Sequence, residues 1–381
     1  LKTAHHFFAP CPRGLETVLA EELTELGALS VVAGDAGVAF EGDAALAMNA
    51  NLESRIASRI LWRVATGPYH NEQVIYDAAL SLPWSEWMDV EQTIMVETNA
   101  RRCPLRSLDF VTLRVKDAVC DHFRNHVGSR PSVDSRTPDI RISIFLDEYN
   151  FFLYLDTSGD ALFRRGERVE SGEAPLKKNL AAGILRIAGW RPGIPLLDPF
   201  CGAGTFLWEA AEWSLNRAAG LNRRFGFEHL KGWDLSAWPA IKAAAEARAE
   251  PARPLPLWGF DLKGDALVAA EANFEAADLV GCAQWKQVNM LESSPPAPEG
   301  YLITNPPYGV RLGEQAELAE LYPKLGDTLK KRYAGWTAWF LSADMQLPKG
   351  IRLKVSRRTP LFNGALECRL FEIRLVSGSN R

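Results

Sequence analysis

The apolar run Tyr301-Leu302-Ile303-Thr304 stops against Asn305-Pro306-Pro307-Tyr308, a junction that few folds can accommodate. The run has the character of a buried strand. Proline has no N–H to give a sheet ladder, so two in succession end the strand and stiffen its exit. Such a corner holds one amide side chain, carbonyls without ladder partners and an aromatic ring in a fixed relation. These parts suit a flat base with an exocyclic amine. Asn305 Oδ1 and the Pro306 carbonyl can accept the two amine hydrogens, Pro307 holds the corner rigid, and Tyr308 can stack on the ring. A proline-rich loop after a strand is the plainer alternative.

A second signature lies about a hundred residues upstream. Ile194-Pro195-Leu196-Leu197-Asp198-Pro199-Phe200-Cys201-Gly202-Ala203-Gly204-Thr205 is an apolar strand running through an acid into a Gly-x-Gly turn, with a helix expected from Thr205. Glycines at 202 and 204 let backbone approach a ligand closely, and the helix N-terminus faces it. The string resembles the S-adenosylmethionine-binding turn of Rossmann-like methyltransferases, and Asn305 to Tyr308 resembles their amino-methylating motif. That resemblance implies cofactor contacts at Asp198, Pro199, Phe200, Cys201, Gly202, Gly204 and Thr205. Cys201 is read there as a small packing residue and not as a nucleophile. Strand Leu257–Asp261 ends in an acid able to bond ribose hydroxyls. A strand from Trp285 to Val288 ends at Asn289, where a side chain can meet the adenine amine. The helix opening at Ala174-Pro175-Leu176-Lys177-Lys178-Asn179 has proline in its first turn. In the methyltransferase class it packs over the methionine end of the cofactor, which implies Pro175, Leu176 and Asn179.

Length and composition bound the remainder. With 381 residues, the chain has room for two or three domains. Its 47% hydrophobic and 24% charged content is that of an ordinary globular protein. No apolar run approaches membrane-spanning length and no signal-peptide pattern opens the chain, so no membrane partner is expected. The first residue is Leu, which suggests that a short N-terminal piece is missing. Six scattered cysteines with no C-x-x-C pair argue for free thiols in a reducing cytoplasm and against a structural metal.

A net charge of −4 suits a nucleic-acid binder only if the cations cluster. They do. Residues 101–141 hold nine basic residues against five acidic ones, and residues 351–374 hold six against two. Arg164, Arg165, Arg168, Lys177 and Lys178 lie between them. Any one cluster alone is an ordinary solvated surface; three beside a base-handling motif favour RNA or DNA.

Periodicity gives the organisation. A short strand at Phe7-Phe8-Ala9, a helix over Gly14–Leu26, a hairpin over Val31–Phe40 and a helix over Ala44–Leu61 form an α+β unit of ferredoxin-like kind at 1–60. A strand at Thr93–Glu97, a helix over Asp109–His126, and strands Ile140–Leu146 and Phe151–Asp156 fill 61–160. Here the sequence from Ser107 to Val119, with Arg130-Pro131-Ser132-Val133-Asp134, resembles a THUMP RNA-binding domain. Residues 161–381 then form an α/β domain, expected as a seven-stranded Rossmann-like sheet. An insertion at Arg223–Pro256 carries tryptophans read as packing anchors. Strands near Ile351–Arg358 and Ala365–Val376 close the sheet with an antiparallel edge.

Nearly the whole chain is similar to the ribosomal RNA large-subunit guanine-N2 methyltransferase L family in a stand-alone form. The resemblance runs through Pro12-Arg13-Gly14-Leu15-Glu16, Ser158-Gly159-Asp160, Arg165-Gly166, Ala174 to Lys177, Leu197 to Thr205, and Asn305-Pro306-Pro307-Tyr308-Gly309-Val310-Arg311-Leu312. It implies S-adenosylmethionine as cofactor and a guanine N2 in 23S rRNA, free or in a pre-ribosomal particle, as target. Some members carry a second methyltransferase domain; this chain stops at Arg381 after one. Asn289 departs from the family, where aspartate is commoner. The residues leave open an adenine-N6 methyltransferase, a tRNA guanine-N2 methyltransferase and a non-catalytic RNA-binding assembly factor.

Overall fold

Alternating residues such as Ile140, Ile142 and Ile144 bury one side of a strand against helices, and repetition of that pattern builds two seven-stranded sheets. The structure, a computed structural model, describes residues 4–165, 176–307 and 312–376. The chain divides into two compact units. One comprises Leu1–Cys11, Ala20–Leu162 and Asn222–Ala244, the other Pro12–Leu19, Phe163–Leu221 and Ala245–Arg381.

The front elements are β1 (His5–Pro10), α1 (Glu16–Glu25), β2 (Leu29–Gly34), β3 (Gly37–Gly42), α2 (Ala44–Glu53), β4 (Leu61–Pro68) and α3 (Glu72–Leu80). After them come α4 (Trp84–Trp87), β5 (Ile94–Ala100), α5 (Leu108–Val127), β6 (Ile140–Leu146) and β7 (Asn150–Asp156). Their strands form one sheet in the order β2-β3-β1-β4-β7-β6-β5, with β5 and β6 the parallel pair. The strands of 1–60 and 61–160 are thus hydrogen-bonded into one sheet through β1 and β4. Caps set the helix starts: Asp43 accepts from Leu46 N–H, and Ser107 from Phe110 N–H.

One expectation is corrected here. The helix expected over Ala44–Leu61 ends at Glu53, and β4 begins at Leu61. The buried Glu22 carboxylate takes Ser54 Oγ at 2.5 Å and Arg55 N–H at 3.0 Å, drawing the chain out of the helix. Proximity of Glu22 to Ser54 is a long-range fact that local periodicity does not carry.

Segment 222–244 follows the catalytic signature in sequence yet is built into the front unit. Trp233 is buried there, 5.8 Å from His5 in a stacked arrangement and edge-on to Trp62 at 5.0 Å. Lys231 N–H donates to the Trp87 carbonyl, and Phe227 N–H to that of Thr157. We expect Trp233→Ala to destabilise the protein by about 3–5 kcal/mol, from lost burial plus the cavity left behind. Trp233 Nε1 has no partner among the described residues, so Trp233→Phe should retain most of the stability. Urea unfolding of the two variants checks this.

The second unit holds α6 (Lys178–Ala188), β8 (Leu196–Asp198), α7 (Thr205–Ser214), the end of α8 (Trp238–Arg248), β9 (Leu257–Asp261), α9 (Gly264–Ala276), β10 (Gln284–Gln287) and β11 (Gly300–Thr304). It continues with α10 (Leu312–Arg332), β12 (Trp336–Ser342), α11 (Leu347–Ile351), β13 (Arg357–Asn363) and β14 (Leu366–Arg374). Its sheet runs β10-β9-β8-β11-β12-β14-β13, parallel up to β12 and antiparallel beyond, a Rossmann-like methyltransferase arrangement. Leu197, Leu302, Phe340 and Phe371 lie in its core.

Two boundaries shift. The strand expected near Ile351–Arg358 is β13 at Arg357–Asn363, because Ile351 is buried in α11, whose first turn contains Pro348. Helix α6 starts at Lys178 with Lys177 as its cap. Pro175, expected in its first turn, lies outside the described residues.

Candidate active site

The parallel strands β8, β9, β10 and β11 all end on one rim of the second sheet, where a doubly wound fold binds its ligands. At the end of β8, Asp198 is fully buried. Its Oδ1 accepts from Phe200 N–H at 3.2 Å and from Thr304 Oγ1 at 2.6 Å. The second bond ties the Gly-x-Gly turn to the last residue of β11. Burial raises the Asp198 carboxyl to about 7; the bonds from Thr304 and Phe200 oppose the rise, and the charge of Asp261 adds to it.

The turn beyond Asp198 is fixed by backbone. Cys201 N–H donates to the Phe260 carbonyl at 3.0 Å, and Gly204 N–H to the Cys201 carbonyl at 2.8 Å. Gly202 and Gly204 have φ of 49° and 77°, which favours glycine at both. Their surroundings differ. A Cβ at Gly204 would lie 3.1 Å from the Trp285 ring, so glycine there permits packing on α9 and β10. A Cβ at Gly202 would meet nothing within 4 Å, so this glycine opens space beside the turn. Pro199 is buried and Phe200 half-buried. Burial pushes the Cys201 thiol up, consistent with packing and not nucleophilic use.

Asp261, at the end of β9, grips the same turn. Its Oδ2 accepts from Gly202 N–H at 3.0 Å and its Oδ1 from Lys263 N–H at 3.0 Å. Asn289, just beyond β10, uses Oδ1 to cap the short 3-10 turn Met290–Glu292 through Leu291 N–H. Its amide NH2 remains for other contacts. Asn179 is buried in α6, which packs against α7. Thr205 begins α7 directly after Gly204.

Asn305 stands just past the last ladder pair of β11, Thr304 with Phe340. Its Oδ1 is buried and accepts no hydrogen bond among the described residues. An orphaned buried acceptor of this kind destabilises a fold by about 1–3 kcal/mol and calls for a donor beyond the described residues, a role a substrate amine can fill. Pro306 is buried and Pro307 exposed. Tyr308 lies outside the described residues. The structure therefore brings together Asp198, the Phe200–Gly204 turn, Asp261 and Asn305, with Asn289 at the adjoining strand end.

Two positioning residues escaped the sequence reading. Thr304 looks like one more β-branched strand residue, and only its pairing with Asp198 reveals its hydroxyl as a link. Asn273 of α9 donates from Nδ2 to the Ala203 carbonyl at 3.2 Å, holding the turn from behind. An amide on the apolar face of that helix, beside Ala270 and Phe274, was the available signal.

An S-adenosyl group fits this donor set: an opened glycine turn at a helix N-terminus, a carboxylate at the second strand end, and an acceptor without a partner among the described residues. Among the described residues no group of His, Cys, Asp and Glu could hold a metal ion, and no helix is long and apolar enough to cross a membrane.

Comparison with known proteins agrees with this geometry. Residues 165–372 match the RMKL-like methyltransferase domain, residues 69–156 the THUMP domain and residues 6–61 the RlmL ferredoxin-like domain. A Synechocystis sp. protein carrying the provisional name RNA methyltransferase slr0064 is 41% identical over 98% of this chain and 97% of its own. A Shewanella sp. protein named ribosomal RNA large subunit methyltransferase K/L is 40% identical over 95% of this chain. The chain spans about half the length of that relative, 52%. Among solved structures, SMU.472, provisionally a methyltransferase and crystallised with SAH, superposes with a TM-score of 0.89. It is 27% identical, and the match covers 98% of this chain and 99% of that one.

Proposed function

Because the chain belongs to the RMKL-like family of S-adenosylmethionine-dependent methyltransferases, we propose that it methylates the exocyclic N2 amine of a guanine in 23S rRNA. The observation that carries the chemistry is the buried Oδ1 of Asn305, without a donor among the described residues, at the rim where the cofactor turn ends. The THUMP match and the relatives' names support an RNA, and a ribosomal one. The likeness of Asn305–Leu312 to the guanine-N2 family supports the base.

When bound, S-adenosylmethionine supplies an electrophilic methyl group on a sulfonium centre. The protein's contribution is positioning. An aryl amine is a weak nucleophile because its lone pair is delocalised into the ring. Asn305 Oδ1 and the Pro306 carbonyl would each accept one amine hydrogen, favouring the tetrahedral nitrogen of the transition state. Thr304 and Asp198 set the distance between that acceptor and the glycine turn. Phe200, Gly202, Asp261 and Asn289 would hold the cofactor, with Pro175 and Asn179 at its methionine end. The proton can pass to water after transfer, so no strong base is needed. A paired guanine must leave its helix to reach this rim, and Tyr308 stacking would offset part of the unpairing.

In this reading residues 1–60 and 61–160 form the ferredoxin-like and THUMP portions that receive RNA, and 161–381 the catalytic portion. An rRNA substrate, with six free cysteines, supports a cytoplasmic site of action. Methyl transfer from labelled S-adenosylmethionine to separate pools of unmodified 23S rRNA, tRNA and duplex DNA tests the proposal, with nucleoside mass spectrometry of the products. N2-methylguanosine in the 23S pool alone is expected. N6-methyladenine, or label confined to tRNA, would overturn the substrate while leaving the mechanism.

A further inference from the structure

We propose that the β13 edge of the catalytic sheet is a phosphate-binding track for the substrate RNA, with Arg13, held over Phe362, and the exposed Arg358 as its two contacts. The proposal rests on the RNA reading above and adds the surface that the backbone of that RNA would follow.

Strand register places the track. Arg358 pairs with Phe371, Phe371 with Phe340, and Phe340 with Thr304, so Arg358 lies on the same cross-sheet row as the residue preceding Asn305. Three strand steps of about 4.8 Å separate β13 from β11, roughly 14 Å in all. Moving along β13 toward the carboxyl ends of the parallel strands, residues 358, 360 and 362 share one face. Phe362 is four residues beyond Arg358, about 14 Å along the strand at roughly 3.4 Å per residue. Contacts that far apart would meet different phosphates of one RNA strand.

Arg13 is held over this far end. Its guanidinium carbon sits 4.4 Å above the Phe362 ring centroid. Gly14 makes the approach possible: its φ is 95°, and a Cβ there would fall 2.4 Å from the Pro360 carbonyl oxygen. The guanidinium is thus aimed by an aromatic face and a tight backbone crossing, yet it has no acceptor among the described residues. The acids closest to it in sequence and register are engaged elsewhere. Glu16 accepts from Gly14 N–H at 2.8 Å, and Glu367, opposite Phe362, pairs with Arg369 at 2.8 Å. Arg358 is exposed and likewise without an ion pair among the described residues, as are Arg352 and Lys354 on the approach to β13. An exposed arginine without a carboxylate partner is suited to a phosphate, which it can bind through two parallel N–H donors, and at Arg13 the ring contact also fixes the guanidinium.

The test measures binding of an unmodified 23S rRNA transcript to the whole protein from 50 to 300 mM KCl. Wild type is compared with Arg13→Gln, Arg358→Gln and the double variant, with SAH affinity measured by calorimetry alongside. Each single change should weaken RNA binding about fivefold and lower the salt slope by roughly one, with the double change near the product. Arg358→Lys should recover most of the salt slope, and SAH affinity should not move. Unchanged RNA affinity and slope in the double variant would overturn the track. So would a parallel fall in SAH affinity, which would mark the two arginines as structural. Failure of the wild type itself to bind rRNA would count against the RNA reading and remove this inference with it.

Discussion

Asn305→Ala should lower the rate of methyl transfer by about 10²–10³-fold while leaving SAH affinity within about twofold of wild type. The magnitude is that of removing one preorganised polar group aimed at a charge-developing atom. The division between the two effects follows from geometry. Asp198, Gly202 and Asp261 hold the cofactor turn through bonds that do not involve Asn305. Asn305 Oδ1 accepts no bond among the described residues, so its removal leaves none of their donors unsatisfied. Stability should therefore hold or rise by about 1 kcal/mol, the usual penalty of an orphaned buried acceptor being relieved. Asn305→Asp keeps an acceptor oxygen and should retain more activity than alanine. Single-turnover kinetics with saturating cofactor, SAH calorimetry and thermal melting together read all three quantities. Loss of SAH binding in the alanine variant would make Asn305 a cofactor residue and sink the assigned role.

Legibility of the chain followed the range of the forces involved. Strand Gly300–Thr304, strand Leu257–Asp261 and helix Gly264–Ala276 were evident because burial imprints a local apolar pattern and prolines or glycines punctuate it. The turn at Gly202–Gly204 was evident because positive φ restricts the residue type. What escaped depends on partners far away in sequence. Glu22 ends α2 at Glu53 by binding Ser54, and Trp233 joins the front unit by packing against His5 and Trp62. Pro12–Leu19 belongs to the catalytic unit, where a Cβ on Gly183 would collide with the Leu15 side chain at 2.5 Å. Neither exchange leaves a periodic trace. In the candidate site Asp198, the glycine turn and Asn305 were visible as motifs, but the Thr304–Asp198 bond was not, since Thr304 alone reads as an ordinary strand end.

That bond leads to the second large effect, which opposes stability to binding. Burial raises the Asp198 carboxyl to about 7 from an ordinary 3.8. Its folded-state value lies above its unfolded value, so the folded protein holds the proton more tightly. Stability is therefore greatest below about pH 4, declines as pH rises toward 7, and is flat above. At 1.36 kcal/mol for each tenfold change in proton affinity, the decline is at most about 4 kcal/mol. Asp198→Asn removes it. The amide oxygen can still accept from Thr304 Oγ1 and Phe200 N–H, which share one oxygen of the native carboxylate. At pH 8 the asparagine variant should melt several degrees above wild type, and at pH 4 the two should converge. Binding should go the other way. A carboxylate offered to a cationic cofactor works only when ionised, so wild-type affinity for S-adenosylmethionine should strengthen about tenfold between pH 6 and 8. The variant should bind at least tenfold more weakly at pH 8, with little dependence on pH. Melting curves and calorimetry at three pH values separate the possibilities. A variant less stable than wild type at pH 8 would show that Asp198 is held as a well-compensated structural carboxylate. Equal cofactor affinity in both proteins would remove it from the binding site. If both expectations hold, the protein keeps an ionised, poorly solvated acid at the end of β8 because the cofactor requires it, and Thr304 is what keeps that acid aligned with the acceptor next door.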